Sequence, residues 1–369
     1  MLGRSLETLG LRMERANSNA RLVADWLAAH LKDPDLRVID ASWYLPDAGR
    51  DAKAEYNAAH IPGARFFDVD EITDSRSNLP HMAPPPEKFV SRMRAMGIGD
   101  GHQVVVYDGA GLFSAARVWW TFRLMGKMDV AVLDGGFPKW LAEGREVEDM
   151  PPVLRDRHIT VSRQHALVKD VTQVAHAAKL GEAEIIDARS AARFKGEAPE
   201  PRPGLRAGHI PGSKNVPYAS LLNPDGTMKP VADLRAVFEA AGVNLAKPAI
   251  TTCGSGVTAA VLSLALGWFL GPWGFAATVV GVLSEARGSV PPVSRERPRP
   301  RAAAPPKHEP ERALARRATA PHPHARPGLD RCRGRTRRVR SADADHHRSP
   351  EPTAAGRRTP VHPDPDHRG

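Results

Sequence analysis

The chain has 369 residues, enough for two domains and a tail, and its formal net charge is +10. Residues 291–369 hold 19 Lys and Arg against 9 Asp and Glu, and subtraction from the totals of 52 and 42 leaves 33 of each sign in residues 1–290. The body of the chain, residues 1–290, therefore has no net charge. Its charge gives no reason to expect that it binds nucleic acid. The tail contains no Phe, Tyr, Trp or Ile, so we expect it to be disordered and to have no specific nucleic-acid partner.

The first half alternates predicted helices and strands. Apolar residues at helical spacing predict a helix over residues 21–31, and a strand is expected at 37–40. A second strand is expected at 104–107, a helix at 113–125 and a third strand at 130–133. This alternation is typical of α/β domains with parallel sheets.

The second half has the same order of elements after a linker. Two adjacent prolines and mixed charges indicate a linker over residues 148–165. A helix is predicted at 171–180, a strand at 184–187, a helix at 231–241 and a strand at 249–252. The sequence thus indicates two α/β units in tandem.

Two motifs of the first half recur in the second. VIDAS (38–42) returns as IIDAR (185–189), and HIPGA (60–64) returns as HIPGS (209–213). Asp108 follows its strand at the position where Cys253 follows the matching strand. This repetition predicts two copies of one domain, of which only the second carries a thiol. We expect an N-terminal extension (1–20), a first domain (21–147), a linker (148–165), a second, catalytic domain (166–283) and a tail (284–369).

Cys253 is the candidate nucleophile. It lies between a predicted buried strand and a helix start, where backbone N–H groups and the helix dipole favour a thiolate. Gly254 and Gly256 allow the loop to curl so that successive amides face the sulfur or an anion bound to it. From these residues alone, a buried structural cysteine stays open as the alternative.

Six motifs, taken in chain order, carry a resemblance to a known family. They are ASWYLP (41–46), HIPGARFFD (60–68), RVWW (117–120), LDGGF (133–137), the segment of Arg189, and CGSGVT (253–258). With these motifs the chain resembles, from about residue 22 to residue 266, the two-domain rhodanese-type sulfurtransferases, and among them the 3-mercaptopyruvate sulfurtransferases. The resemblance implies an α/β fold of two tandem rhodanese-like domains with parallel sheets, followed here by the tail.

The same resemblance implies an activity. Sulfane sulfur would move from a small-molecule donor, 3-mercaptopyruvate or thiosulfate, to a thiol acceptor such as thioredoxin or a low-molecular-weight thiol. The sulfur would be held as a persulfide on Cys253, and neither a metal nor a cofactor is expected.

The resemblance also implies roles for individual residues. Arg189, at the end of a strand, is expected to bind the anionic donor, and Arg193 and Arg206 are weaker candidates for the same anion. The loop residues expected to offer backbone contacts to the donor are Gly254, Gly256, Val257 and Thr258. Ser255 is expected to handle protons together with Asp51 and His60. For Asp51 a surface position stays open, and for His60 a structural role.

The composition of the loop bears on the choice of donor. Thiosulfate-preferring members of the family carry basic side chains beside the cysteine, whereas this loop has Gly254 and Ser255. Mercaptopyruvate is therefore favoured. Phosphatases of the same fold need an arginine six positions after the cysteine, and Ala259 argues against that activity.

The sequence departs from the family pattern after about Leu266. The second half should repeat, from about residue 275, the strand, Asp-Gly pair and Trp helix that follow residue 130, but an Arg- and Pro-rich segment follows instead. We interpret this end as a reading-frame shift in a GC-rich gene. The alternative function is an inactive or unstable relative that lacks the end of its catalytic domain.

Cellular context follows from three observations. Residues 257–283 carry no charge, but glycines and Pro272 interrupt this run, so a membrane span is not favoured. Cys253 and Cys332 are the only cysteines, which implies no disulfide framework. The N-terminal residues lack the apolar core of a signal peptide. We therefore expect a cytoplasmic protein.

Overall fold

The computed structural model describes residues 20–201, 206–270 and 277–279. Its first half contains, in chain order, α1 (Ala20–His30), β1 (Leu36–Asp40), α2 (Ala52–Ala58), β2 (Arg65–Phe66), α3 (Pro86–Ala95), β3 (Gln103–Tyr107), α4 (Ala115–Leu124), β4 (Val130–Val132) and α5 (Gly136–Ala142). The strands form one parallel sheet in the order β2-β1-β3-β4. The predicted elements of this half are therefore confirmed.

The second half repeats this arrangement. It contains α6 (Val171–Leu180), β5 (Glu184–Asp187), α7 (Ala191–Lys195), β6 (Lys214–Asn215), α8 (Val231–Ala240), β7 (Ala249–Thr252), α9 (Val257–Leu270) and β8 (Ala277–Val279). Its sheet is also parallel, in the order β6-β5-β7-β8. The two sheets have the same strand order, which confirms the prediction of two copies of one α/β domain.

The end of the second sheet differs from what the sequence led us to expect. A short strand, β8, pairs with β7 in the way that β4 pairs with β3 in the first sheet. This position of the sheet is therefore filled, although the Asp-Gly pair and Trp helix that follow β4 have no counterpart in the sequence. The tail, its expected disorder and the proposed reading-frame shift lie outside the described residues.

The two domains pack closely against each other. Helix α4 lies along α9, and all ten residues of α4 are buried because domain 2 covers the face that the first sheet leaves open. A Cβ on Gly111 would lie 3.1 Å from the Cα of Gly226, so this approach needs glycine. The Met228 N–H donates to the Asp134 carboxylate at 2.7 Å. The carboxyl ends of the second sheet thus face domain 1.

The predicted linker runs along domain 1. The N–H groups of Ser162 and Gln164 donate to the carbonyls of Met125 and Leu124, at the end of α4. In the part of the chain that the structure describes, no helix has the length and apolar character needed to cross a membrane.

Candidate functional site

The Cys253 loop joins β7 to α9. The thiol follows the last residue of β7 directly and is 5% exposed. Its sulfur accepts the N–H of Gly256 at 3.0 Å. Gly256 has a left-handed backbone (φ 78°), which a residue with a Cβ adopts only with strain. The loop therefore presents a backbone donor to the sulfur at the start of a helix, as the sequence predicted.

The matching loop of domain 1 has a carboxylate at the position of the thiol. Asp108 follows β3 as Cys253 follows β7, and its carboxylate is completely buried. It accepts the N–H groups of Ala110, Phe113 and Ala115 at 2.9, 2.7 and 2.8 Å. Burial raises the pKa of Asp108, and these backbone hydrogen bonds act against that rise. The first copy of the loop is thus an anion site occupied by its own side chain.

Arg189 leaves the same edge of the second sheet as Cys253. Asp187, the last residue of β5, pairs in register with Thr252, the last residue of β7. Arg189 and Cys253 therefore follow neighbouring strand ends, where ligand sites gather in parallel sheets.

The guanidinium of Arg189 is buried among acceptors. Its Nη2 lies 2.6 Å from the carboxylate of Asp187 and 2.7 Å from the carbonyl of Gly208, and its Nη1 lies 2.6 Å from Glu200. Burial alone would lower the pKa of Arg189, but the hydrogen bonds and charges of Asp187 and Glu200 outweigh it and hold the pKa above its ordinary value. The charge of Arg189 is thus balanced within the protein itself.

Arg193 connects this cluster with the Cys253 loop. Its Nη2 donates to Glu200 at 2.5 Å and lies 3.1 Å from the point that a Cβ on Gly254 would occupy. Its Nε is buried and has no hydrogen-bond partner among the described residues. Arg193, and not only Arg189, is therefore at the edge of the site.

His60 and its counterpart in domain 2, His209, share two contacts, although His60 is buried and His209 is exposed. The His60 ring is fully buried, stacks on Tyr56 at 4.2 Å, and has its Nδ1 2.7 Å from the Tyr56 carbonyl. His209 stacks on Phe194 at 3.8 Å with its Nδ1 2.8 Å from that carbonyl. These shared contacts favour the structural role that the sequence left open for His60. Its Nε2 is buried without a hydrogen-bond partner among the described residues, and its role in proton handling stays a prediction.

Asp51 caps a helix of domain 1. Its carboxylate accepts the N–H groups of Lys53 and Ala54, both at 3.0 Å, at the start of α2. Among the described residues, no hydrogen bond or ion pair joins Asp51 or His60 to Ser255. The structure therefore does not assemble the proton-handling set expected from the sequence.

A different Asp–His pair lies near the Cys253 loop. The Nε2 of His81 is 2.6 Å from the carboxylate of Asp70, which also accepts the indole N–H of Trp43 at 2.9 Å. His81 is 4% exposed, and its Nδ1 is buried without a partner among the described residues. If Nε2 carries the proton toward Asp70, the lone pair of Nδ1 is left to act as a base. A cavity of about 390 Å³ opens beside the pair.

Arg117 connects His81 with the Cys253 loop. It lies on α4 of domain 1, and it donates to the carbonyl of His81 and, at 3.4 Å, to the carbonyl of Gly256. His81 has a left-handed backbone (φ 55°), which is rare for a residue other than glycine and occurs here where its carbonyl meets Arg117. Sequence reasoning assigned no role to Asp70, His81 or Arg117.

Comparison with known proteins agrees with this geometry. Residues 23–143 and 170–282 match the model of the rhodanese-like domain, and the second match continues beyond Leu266. The 3-mercaptopyruvate sulfurtransferase of Escherichia coli strain K12 is 45% identical over 244 residues, which are 66% of this chain and 86% of that protein. The mitochondrial thiosulfate/3-mercaptopyruvate sulfurtransferase 1 of Arabidopsis thaliana is 43% identical over 263 residues, 66% of this chain and 69% of that protein.

A solved structure gives the same result. The crystal structure of SseA from Escherichia coli, described as a 3-mercaptopyruvate sulfotransferase with the rhodanese fold, matches with a TM-score of 0.64 and 41% identity, over 70% of this chain and 95% of that one. The repeated α/β domain, the loop thiol and these matches lead to one conclusion. The chain belongs to the rhodanese family and is a sulfurtransferase built from two rhodanese-like domains.

Proposed function

We propose that this sulfurtransferase takes sulfur from 3-mercaptopyruvate and passes it to a thiol through a persulfide on Cys253. The observation that carries the proposal is the geometry of the Cys253 loop, whose sulfur lies against a backbone N–H at a helix start. Uncharged Gly254 and Ser255 beside it favour this donor over the thiosulfate dianion. The names of the relatives from Escherichia coli and Arabidopsis both include 3-mercaptopyruvate.

In the first half-reaction the Cys253 thiolate attacks the donor sulfur. An S–S bond forms as the C–S bond of 3-mercaptopyruvate breaks, and the bonding electrons leave with carbon as the enolate of pyruvate. The proton of the donor thiol moves to that carbon, so pyruvate is released and Cys253 holds an anionic persulfide. The Gly256 N–H and its neighbours along the loop stabilise negative charge on sulfur before and after this step.

The proton transfer is proposed for Ser255 together with His81 and Asp70. His81 supports the role because it has one ring nitrogen on a carboxylate and the other without a partner among the described residues. Its carbonyl and that of Gly256 bind the same guanidinium, so the His81 segment and the loop are neighbours. This pair replaces Asp51 and His60 in the proposal.

The donor carboxylate is proposed to bind beside Arg189 and Arg193. Arg193 lies against Gly254, and both guanidiniums converge on Glu200. Because Arg189 is held by two buried carboxylates, its role includes fixing Glu200 and Arg193 at the edge of the loop. Backbone contacts to the donor are proposed for Gly254, Gly256, Val257 and Thr258.

In the second half-reaction an acceptor thiolate attacks the outer sulfur of the persulfide. The S–S bond breaks and the Cys253 thiolate is restored, so one turnover needs no oxidant or reductant. A dithiol protein such as thioredoxin or a low-molecular-weight thiol suits this step. We propose a reducing compartment, the cytoplasm, as the site of action; the name of the Arabidopsis relative places that protein in mitochondria.

The preference of the enzyme for one sulfur donor over the other tests this proposal. The wild-type chain should release pyruvate from 3-mercaptopyruvate with a higher kcat/KM than it shows for sulfite release from thiosulfate, with a dithiol as acceptor. In the double variant Gly254→Arg, Ser255→Lys, the ratio should move toward thiosulfate by about tenfold or more, since the dianion gains two charged partners. Gly254 does not have a left-handed backbone, so only the flexible end of Arg193 must move to admit a side chain.

The matched control is Gly254→Ala, Ser255→Ala, which fills the same positions without charge. This control should lose activity toward both donors without a shift toward thiosulfate. A wild-type preference for thiosulfate, or an equal shift in the control, would contradict the proposed donor.

A further inference from the structure

Arg117 is a buried cation at the contact between the two domains. It lies on α4, in the first domain, with 3% of its surface exposed. Its guanidinium carbon is 4.7 Å from the ring centroid of Trp120, one turn along the same helix. A guanidinium taken this far out of water needs a balancing negative charge or a full set of acceptors.

The described contacts of Arg117 supply two carbonyls and no carboxylate. One amino group donates to His81 and the other, at 3.4 Å, to Gly256. Among the described residues, no Asp or Glu forms an ion pair with it. Burial lowers the pKa of Arg117 to about 10, and the charge of Cys253 acts in the opposite direction. Arg117 is therefore protonated at neutral pH.

The other cations near the loop already have acidic partners. Arg189 is paired with Asp187 and Glu200, and Arg193 with Glu200. The carboxylate of Asp70 lies against His81. Among the described residues, the negative charge left to balance Arg117 is the one on the sulfur of the loop, first as a thiolate and then as a persulfide.

We propose that Arg117 is a positioning residue that acts on the reaction from domain 1, holding the Cys253 loop through Gly256 and balancing the negative charge on its sulfur. This inference rests on the proposed function of Cys253. The first domain, which has Asp108 in place of the thiol, thus supplies a positive charge to the loop of the second domain. The contact with His81 fixes the same guanidinium to the segment that carries the Asp–His pair.

Alkylation of Cys253 by iodoacetamide, without any donor, tests the proposal. The rate is measured from about pH 5 to 9 in a Cys332→Ser background, since only the thiolate reacts. In Arg117→Met the midpoint of the rate curve should rise by about one pH unit or more, because a nearby positive charge is lost. In Arg117→Lys the charge remains and the midpoint should stay within about half a unit of the unsubstituted background.

Arg123→Met is the matched control. Arg123 lies on the same helix, is 7% exposed, and stacks over Trp119 at 5.1 Å, so its loss removes a comparable buried guanidinium that has no contact with the loop among the described residues. The pH midpoint of Cys253 alkylation in Arg123→Met should not move. A purely structural role for Arg117 would lower the unfolding temperature of Arg117→Met without shifting the midpoint, and that result would overturn the proposal.

The Lys variant keeps the test decisive if Arg117→Met does not fold. Lys reaches only one of the two carbonyls with a compact ammonium group, so the link between Gly256 and His81 is broken while the charge stays. We expect its kcat for the sulfur donor to fall about tenfold with an unshifted alkylation midpoint. Unchanged kcat in Arg117→Lys would contradict the positioning role. Loss of turnover in the unsubstituted background would instead count against the proposed function.

Discussion

Cys253→Ser should lower pyruvate release from 3-mercaptopyruvate by about a thousandfold or more. A serine hydroxyl is not ionised at neutral pH, and its oxygen cannot carry sulfane sulfur through the second half-reaction. The surrounding loop should remain folded because Ser is close to Cys in size and can accept the Gly256 N–H in place of the sulfur. Steady-state pyruvate release with a dithiol acceptor measures the effect.

Cys332→Ser is the control for this substitution. It removes the other cysteine of the chain and should leave turnover unchanged. Pyruvate release by Cys253→Ser at more than about a tenth of the wild-type rate would contradict the mechanism.

Arg189→Ala should destabilise the second domain by about 3–5 kcal/mol. The side chain of Arg189 is fully buried between Asp187 and Glu200, whose exposed fractions are 0% and 4%. Removal of the guanidinium leaves the buried Asp187 without its cation and leaves Glu200 with Arg193 alone. Donor turnover should be lost with the fold, so this variant alone does not measure donor affinity. Equilibrium unfolding in urea gives the free energy.

Arg193→Ala separates stability from donor binding. Arg193 is 25% exposed and shares Glu200 with Arg189, so its loss should cost about 1 kcal/mol or less. If it contacts the donor, KM for 3-mercaptopyruvate should rise while the fold is retained.

A loss of less than about 1 kcal/mol in Arg189→Ala would show that the buried ion pairs contribute little and would contradict this account.

The fold could be predicted because its signals are local or repeated. Apolar runs located β1, β3, β5 and β7, and the repeated VIDAS and HIPGA motifs indicated two copies of one domain. In a parallel sheet the residues after neighbouring strands lie together, so Cys253 and Arg189 could be placed side by side. The short strand β8 was not expected, because the sequence around it lacks the family motifs.

The residues now proposed for proton handling, Asp70 and His81, could not be found by the same reasoning. His60 drew attention because its motif recurs, and the stacking that His60 and His209 share is what a role in folding would produce in both copies. Asp70 and His81 lie 10 and 21 residues after His60. At the same distances from His209 the second half has Ala219 and Pro230. The signal that the sequence did offer is that Asp70 and His81 have no counterparts in the second half.

Arg117 was missed for a different reason. Its partners, His81 and Gly256, lie 36 and 139 residues away in the chain, and both contacts use backbone carbonyls. Backbone acceptors leave no trace in residue types, so no pattern in the sequence indicates them. The packing of α4 against α9, which creates these contacts, is a property of the assembled pair of domains.

The central claim is that Cys253 carries the sulfur, and mass analysis of the donor-treated chain tests it most directly. After brief treatment with 3-mercaptopyruvate and removal of excess donor, the chain is alkylated, digested and mapped. The account predicts one added sulfur atom on the peptide that contains Cys253, none on that of Cys332, and loss of the added sulfur on treatment with a dithiol. An unmodified Cys253 together with released pyruvate would contradict it.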